Sequence, residues 1–464
     1  MAGGGDRRHP CRPRDDQLLP LDRCRPGGGG ARLCPDRSSA PREGARTMSE
    51  ATDVLIVGAG PVGMLTALTL AQAGASVRVI EREEHIINSP RAAVYFPSTL
   101  LVLEELGILD ELDAIGFRNR AFGTHVPEFD YHSVVVTEPI EGIEYDYQLH
   151  VGQHDVARVA MEHAQKLGVK VHFGTELHGF EEYADHILAM TTGPDGEVEY
   201  EAKWLIGADG ARSTVRKLAD IEFEGHTWPE RFVATNVKFP FGELGYEQAN
   251  FVCDPVNMAV IAQLDTEGLW RCTYMEDSSL PLETYEDRIH QRYEWFMQGR
   301  KDYEIVSSSP YMLHQRAGET LRKGRVLLAG DAAHATNPCG GLGLTSGLWT
   351  GIVLADVLGA VLRGEEDESI LDRFSDERRR VFWDVVTPAA TENKRMLQEQ
   401  DPEKRQQDLA HIKALDTNPE SGALLMLFAY KVIGDVLHPN SRWADADPSD
   451  RVAINIRDRQ GQIH

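Results

Sequence analysis

The stretch Asp53-Val54-Leu55-Ile56-Val57-Gly58-Ala59-Gly60-Pro61-Val62-Gly63 decides how this chain is read. Its first five residues are an apolar run of the length of a buried parallel strand. Gly58-x-Gly60-x-x-Gly63 follows, and a helical pattern continues through Ala73. Val77–Ile80 is a second strand that ends at Glu81, completing a βαβ unit of about 30 residues. In such a unit Gly58 allows the tight turn, Gly60 lets a pyrophosphate approach the backbone, and Gly63 lets helix pack on strand. The helix start, with Pro61 and Val62 at its first positions, offers free N–H groups and a positive dipole end to phosphates. Glu81, followed by Arg82, lies 18 residues past Gly63, where an acid accepts hydrogen bonds from a ribose diol. The motif reads as dinucleotide binding; a Gly-rich structural turn is the alternative.

Around this unit stand 464 residues, room for two or three domains. A content of 42% hydrophobic and 26% charged residues is that of an ordinary globular chain with a large core. The net charge of −25 argues against a nucleic-acid binder. Residues 1–47 differ from the rest. Ten Arg, no Lys and six acids give them a net +4, against −29 for the remainder, and they hold eight Gly and six Pro. They read as a disordered or spurious N-terminal extension, without the apolar core of a secretory signal. Cys11, Cys24 and Cys34 there lack paired zinc-site spacing. Cys253, Cys272 and Cys339 are scattered, as in a reduced cytoplasmic protein. No metal-ligand cluster stands out. Leu344–Leu362 contains Asp356 and Ala423–Leu437 contains Lys431 and Asp435, so both read as core helices and not membrane spans.

Two further constellations narrow the cofactor. Gly324 to His334 runs through a strand into Gly330-Asp331, and Pro338-Cys339-Gly340-Gly341-Leu342-Gly343-Leu344 opens another helix. A carboxylate at a strand end can hold polyol hydroxyls, and a second Gly-rich helix start can face a ring that becomes anionic on reduction. FAD has both a ribityl chain and such a ring, whereas NAD has neither. A strand–turn–helix with an Asp cap is the alternative. The third constellation is Gly207-Ala208-Asp209-Gly210-Ala211-Arg212-Ser213-x-Val215-Arg216, whose Asp and Ser could equally cap a short helix.

Together, over residues 50–365, the three motifs resemble the group A FAD-dependent flavoprotein monooxygenases, the para-hydroxybenzoate hydroxylase-like aromatic hydroxylases. The resemblance implies that Glu81 binds the adenosine ribose and Asp331 the ribityl chain. It implies an FAD phosphate contact at Arg91, a ribityl or phosphate contact at Gln153, and a role in FAD and NAD(P)H binding for Asp209. Pro338 would lie beside the flavin ring. Leu342 and Thr345 depart from the family's usual Gln and Asn. The resemblance further implies that NADH or NADPH reduces the flavin, and that O₂ adds to form a C4a-hydroperoxide that hydroxylates an aromatic, phenolic small molecule. Epoxidation or oxidative decarboxylation on the same scaffold, and a non-catalytic FAD-binding module, are the alternatives. Removing the phenol proton helps such a reaction, so a His, Tyr or Arg is expected beside the ring hydroxyl. His226, Arg271, Tyr274 and Tyr311 are the substrate-side candidates.

The expected fold is α/β: a Rossmann-like FAD-binding domain (48–220 and 316–370), an inserted β-rich substrate domain (221–315) and a helical C-terminal segment (371–464). The expected state is a cytoplasmic monomer or homodimer with no membrane span.

Overall fold

The computed structural model describes residues 47–48, 50–87, 93–137, 139, 143–418 and 420–448. Residues 1–46, Arg91 and the end of the expected C-terminal segment lie outside them.

Thr52–Val57 sits at the centre of the first sheet and is buried at every position from Val54 onward, as a strand covered on both faces must be. It pairs in parallel with Val77–Ile80 on one side and with the end of Gly196–Gly207 on the other. Lys170–His172 and Val326–Leu328 extend this parallel set outward. The first half of Gly196–Gly207 instead runs antiparallel to Ile187–Gly193, which pairs with Glu176–Glu182. One strand therefore serves both the parallel core and an antiparallel flap.

Pro61–Gln72 packs against Leu342–Leu362 at very short range because the second helix presents glycines. A Cβ on Gly351 would stand 2.4 Å from Thr66 Oγ1 and 3.0 Å from Val62 Cγ1. Among the described residues, Leu342–Leu362 is the one helix long and apolar enough to cross a membrane, but 89% of its apolar window is buried within the protein. It is a core helix, held between Pro61–Gln72 and the C-terminal helix Ile370–Val381.

The second sheet has eight strands. Its centre is built from Glu304–Gly318, Phe223–Lys238, Leu269–Asp277, Ala259–Gln263 and Ala249–Val252. It reaches outside the expected 221–315 segment. Ala121–Val126 pairs in parallel with Ala249–Val252, and Tyr131–Val136 closes that edge. The expected β-rich texture also gives way at Tyr285–Phe296, which is a helix. Ile289, Tyr293 and Phe296 recur at helical spacing and bury one face of it against Trp270, Cys272 and Tyr274. From residue 370 to Val432 the described chain is mostly helical: Ile370–Val381 runs through a π-helical turn, Phe382–Val386, into Thr387–Gln398, and Pro402–Asp416, Ser421–Phe428 and the short turn Ala429–Val432 follow; residues 433–448 are turns and coil in place of the expected helix.

Candidate active site

The three glycine-containing motifs meet at the C-terminal ends of adjacent parallel strands, the edge where open α/β sheets bind ligands. Ala208 N donates to Val57 O at 2.8 Å, Ala329 N to Gly207 O at 2.9 Å, and Gly58 N to Ile80 O at 2.8 Å. Each motif thus leaves its strand beside its neighbours.

The first loop is shaped by steric exclusion. Gly58 has φ +111°, and a Cβ there would lie 2.4 Å from Ala208 O. A Cβ on Gly63 would lie 2.0 Å from Gly58 O. Gly60 is different: nothing lies within 4 Å of where its Cβ would be, and its backbone is extended. The Gly60 position therefore opens outward, above the uncapped N-terminus of Pro61–Gln72 and its acid-free first turn. That is the form of an anion cradle. Glu81 braces the same loop. Its Oε2 accepts from Ala59 N at 2.8 Å and its Oε1 from Glu83 N at 3.1 Å. Each carboxylate oxygen keeps a lone pair for a ribose hydroxyl. Arg82 points to solvent, its side chain 69% exposed and paired with Glu83.

Asp209 Oδ2 accepts from Thr214 N and Val215 N, at 2.6 and 3.1 Å, and so holds the start of the helix Thr214–Leu218. Its Oδ1 is buried and has no hydrogen-bond partner, an acceptor with capacity left for a ligand. Arg216 joins this motif to the Asp331 turn, donating to Ala211 O and Ala332 O at 2.8 Å each. Asp331 is exposed at the end of Val326–Leu328, and Gly330 before it has φ +62° and packs on Val62. Gln153 is half-buried at the first position of Gln153–Lys166.

Pro338 and Gly341 line the loop before Leu342–Leu362. Gly340 and Gly341 both have positive φ, with Asn393 against one and Phe96 against the other. Leu342 is buried in the main core, and Thr345 Oγ1 returns to Gly341 O at 3.3 Å. Gly343 and Leu344 are half-buried on the next turn. The two side chains that depart from the family pattern therefore face inward, leaving backbone N–H groups at this helix start. A buried polar network fixes the loop: Gln315 Oε1 accepts from Thr336 and Asn337, and Asn337 Oδ1 accepts from Cys339 N at 3.0 Å. His334 is a neutral structural residue. Its Nε2 lies 2.7 Å from Thr350 Oγ1, and burial together with nearby Arg378 pushes its pKa down to about 3.

The eight-stranded sheet turns one face to this loop. Cys339 packs with Phe232, Phe251, Met258 and Leu313. Strand alternation and register put Tyr311, Phe232 and Met275 in one row of that face, and Ser309, Ala234 and Thr273 in the next. Ser307, Asn236 and Arg271 form the third row. Tyr311 is 37% exposed. Protein packing around its phenol, with lesser influence from Cys339 and Arg271, raises its pKa above the usual range. Arg271 lies on the same face two rows away, half-buried, and its guanidinium donates twice to Asn236 Oδ1 at 3.1 Å. Tyr274, three residues from Arg271, faces the other way into the cluster under Tyr285–Phe296. His226 is exposed, edge-on to Trp228 at 4.7 Å between ring centres.

Sequence reasoning missed the contribution of Thr387–Gln398. Asn393 Nδ2 lies 3.4 Å from Cys339 O, and Lys394 is buried beside Trp228 and bonded to Glu230 at 3.2 Å. No motif marks these residues; only the fold of the tail brings them to the loop.

An open cradle at Gly60, an orphaned acceptor at Asp209 and a second uncapped helix start at Gly341 fit a phosphate-bearing cofactor with polar groups along its length. Comparison with known proteins names it. The family model described as FAD binding domain matches residues 51–389, and the chain belongs to the group A FAD-dependent aromatic hydroxylases. It is a FAD-dependent monooxygenase. It is 42% identical over 358 residues to 6-hydroxy-3-succinoylpyridine 3-monooxygenase of Pseudomonas putida, a match covering 76% of this chain and 91% of that one. It is 39% identical over 377 residues to para-nitrophenol 4-monooxygenase of a Pseudomonas species, covering 79% and 92%. The crystal structure of p-nitrophenol 4-monooxygenase from Pseudomonas putida superposes with a TM-score of 0.79 at 36% identity, covering 84% of this chain and all of that one.

Proposed function

We propose that this monooxygenase hydroxylates a phenolic small molecule, with NADH or NADPH as reductant and O₂ as oxidant. The observation that carries the reading is the juxtaposition at Pro338–Gly341: the FAD-binding loops lie behind it, and a sheet face bearing Arg271 and Tyr311 lies in front. Bound FAD supplies the electron transfer and the oxygen activation. The residues of the chain bind, orient and exclude water. Ser309, Ala234 and Thr273 make a floor of small side chains on which an aromatic ring can lie. Phe232, Met275 and Leu313 keep water from one side. Tyr311 stays protonated at neutral pH and acts as a hydrogen-bond donor.

The relatives' names support a narrower form of this reading. In para-nitrophenol, position 4 carries the nitro group and stands para to the hydroxyl. In 6-hydroxy-3-succinoylpyridine, position 3 carries the succinoyl group and stands para to the hydroxyl. By that analogy the substrate is a hydroxylated ring, and oxygen enters at a substituted para carbon. The test is NAD(P)H oxidation by FAD-loaded protein with a panel of para-substituted phenols, with the products weighed by mass spectrometry. Stimulated oxidation and a product carrying one oxygen from O₂, with or without loss of the para group, is expected. A panel in which no phenol stimulates oxidation or yields product would overturn the phenolic reading.

A further inference from the structure

Ile370–Val381, Phe382–Val386 and Thr387–Gln398 follow one another without a break, yet they do not bury one continuous stripe. Leu371, Phe374, Arg378 and Val381 are fully buried and recur at helical spacing. Continued at 3.6 residues per turn, that stripe would pass through Val385, Ala389 and Glu392. The first two are only half-buried and the third is exposed. Burial resumes instead at Val386, Ala390, Lys394 and Leu397. The π-helical turn supplies the extra residue, with Thr387 N donating to Phe382 O, five residues back. Pro388 accounts for it, since it has no N–H for Asp384 O and its ring crowds that carbonyl.

Where the two phases join, Thr387 meets Gln315, a residue of the strand Glu304–Gly318. From there a chain of bonds that all point one way leads to the loop. Cys339 N donates to Asn337 Oδ1 at 3.0 Å. A backbone N–H can only donate, so the other end of that amide is its nitrogen. Asn337 Nδ2 donates to Gln315 Oε1 at 3.3 Å, and Asn337 N approaches the same oxygen at 3.4 Å. The remaining end of Gln315, its Nε2, donates to Thr387 Oγ1 at 2.8 Å.

Neither amide has any exposed surface, so each needs its bonds to be tolerated in the core. Gln315 directs all of its bonds to the loop and the tail. Gly340 and Gly341 come next in the loop, both at positive φ, and a Cβ on Gly340 would lie 2.5 Å from Asn393 Nδ2. The loop then ends on the uncapped start of Leu342–Leu362. That helix start is aimed only as firmly as the loop before it is held.

We propose that Gln315 and Thr387 are positioning residues for the cofactor: the tail, re-phased by its π-helical turn, holds the 336–341 loop through Gln315 and so aims this helix start toward the flavin. The proposal needs FAD binding, which membership of the family gives, and is independent of the phenolic reading above.

The experiment follows FAD release from the holoenzyme by flavin fluorescence, and records the visible spectrum and midpoint potential of the flavin that stays bound. Q315M removes every bond of Gln315 while keeping its length. The FAD Kd is expected to rise about tenfold, with the spectrum and potential both displaced. Q315E keeps an oxygen for Thr336 and Asn337 and can accept from the Thr387 hydroxyl, so it should recover most of the lost affinity. T387V cuts the tail link alone and should raise the Kd about threefold, whereas T387S should match the wild type. The Tm of each holoenzyme is read alongside. A lowered Tm with wild-type spectrum, potential and Kd would mean a role in stability only and would overturn the proposal. So would a Q315E as weak as Q315M, or a T387V indistinguishable from wild type. Should Q315M not fold, T387V against T387S decides. None of these readouts involves NAD(P)H oxidation or a phenol, so loss of the phenolic reading would leave this result standing, and the reverse.

Discussion

The end of the parallel sheet and the loop-facing side of the eight-stranded sheet face each other across Pro338–Gly341, and they are built on opposite principles. The first uses backbone. Its loops are shaped by positions where a side chain cannot fit, such as Gly58 and Gly63, and it presents N–H groups and helix ends. The second uses side chains projecting from regular strands, with Arg271, Tyr311 and Phe232 set by alternation and register. A cofactor shared by a whole family suits the first construction. A variable substrate suits the second, since single replacements there leave the backbone untouched.

The largest effect that can test this contrast is at Gly63. Gly63→Ala puts a methyl 2.0 Å from Gly58 O, so the strand–helix junction must open. A loss of about 3 kcal/mol or more is expected, read as a fall in Tm together with loss of bound flavin. A variant with unchanged Tm would break the claim that this loop is set by close packing.

Next comes the balanced charge of the helix-covered face. Glu276→Gln leaves two arginines without their acid, and about 3–5 kcal/mol of stability should go. Burial alone would raise the Glu276 pKa, but hydrogen bonds from Arg288 and Arg231 outweigh it and the net direction is down. A lowered pKa means this contribution is complete above the ordinary value of 4.5 and is lost as pH falls through the folded-state value. Acid titration of stability should therefore be shallower in Glu276→Gln than in the wild type below that pH. The KM for phenol should not change, because Glu276 faces away from the loop.

Glu230→Gln strands the buried ammonium of Lys394 and should cost about 2 kcal/mol. Adding Lys394→Met should restore much of that loss, and the double-mutant cycle gives the coupling directly. The smallest stability effect is at Asp209. Asp209→Ala removes two hydrogen bonds from the start of Thr214–Leu218 while the Ser213 cap stays, a loss of about 1 kcal/mol, and should weaken FAD retention beyond what that loss of stability explains.

The contrast also accounts for what the sequence made legible. Backbone motifs are local, so Gly58-x-Gly60-x-x-Gly63 with its strand, helix and Glu81 could be read directly, and with it the α/β class. Substrate-side residues carry no such mark. Arg271 and Tyr274 are three apart in one strand and must lie on opposite faces, but which face looks toward the loop depends on pairings that span the chain. Ala121–Val126 joins Ala249–Val252 across more than a hundred residues, which no local pattern announces. The helix Tyr285–Phe296 was hidden by the aromatic residues that also favour strands. Asn393 and Lys394 reach the loop only because the tail folds back.

The most direct measurement compares Gly60→Ala with R271M, reading FAD affinity and phenol affinity in each. Gly60 has an extended backbone and open space where its Cβ would be, so the protein itself should tolerate the alanine with little change in Tm. A crossed result is expected: Gly60→Ala weakens FAD binding and leaves the phenol affinity of the loaded enzyme intact, whereas R271M weakens phenol binding and leaves FAD affinity intact. Equal loss of both affinities in either variant, with Tm unchanged, would contradict the separation of a backbone cofactor cradle from a side-chain substrate face.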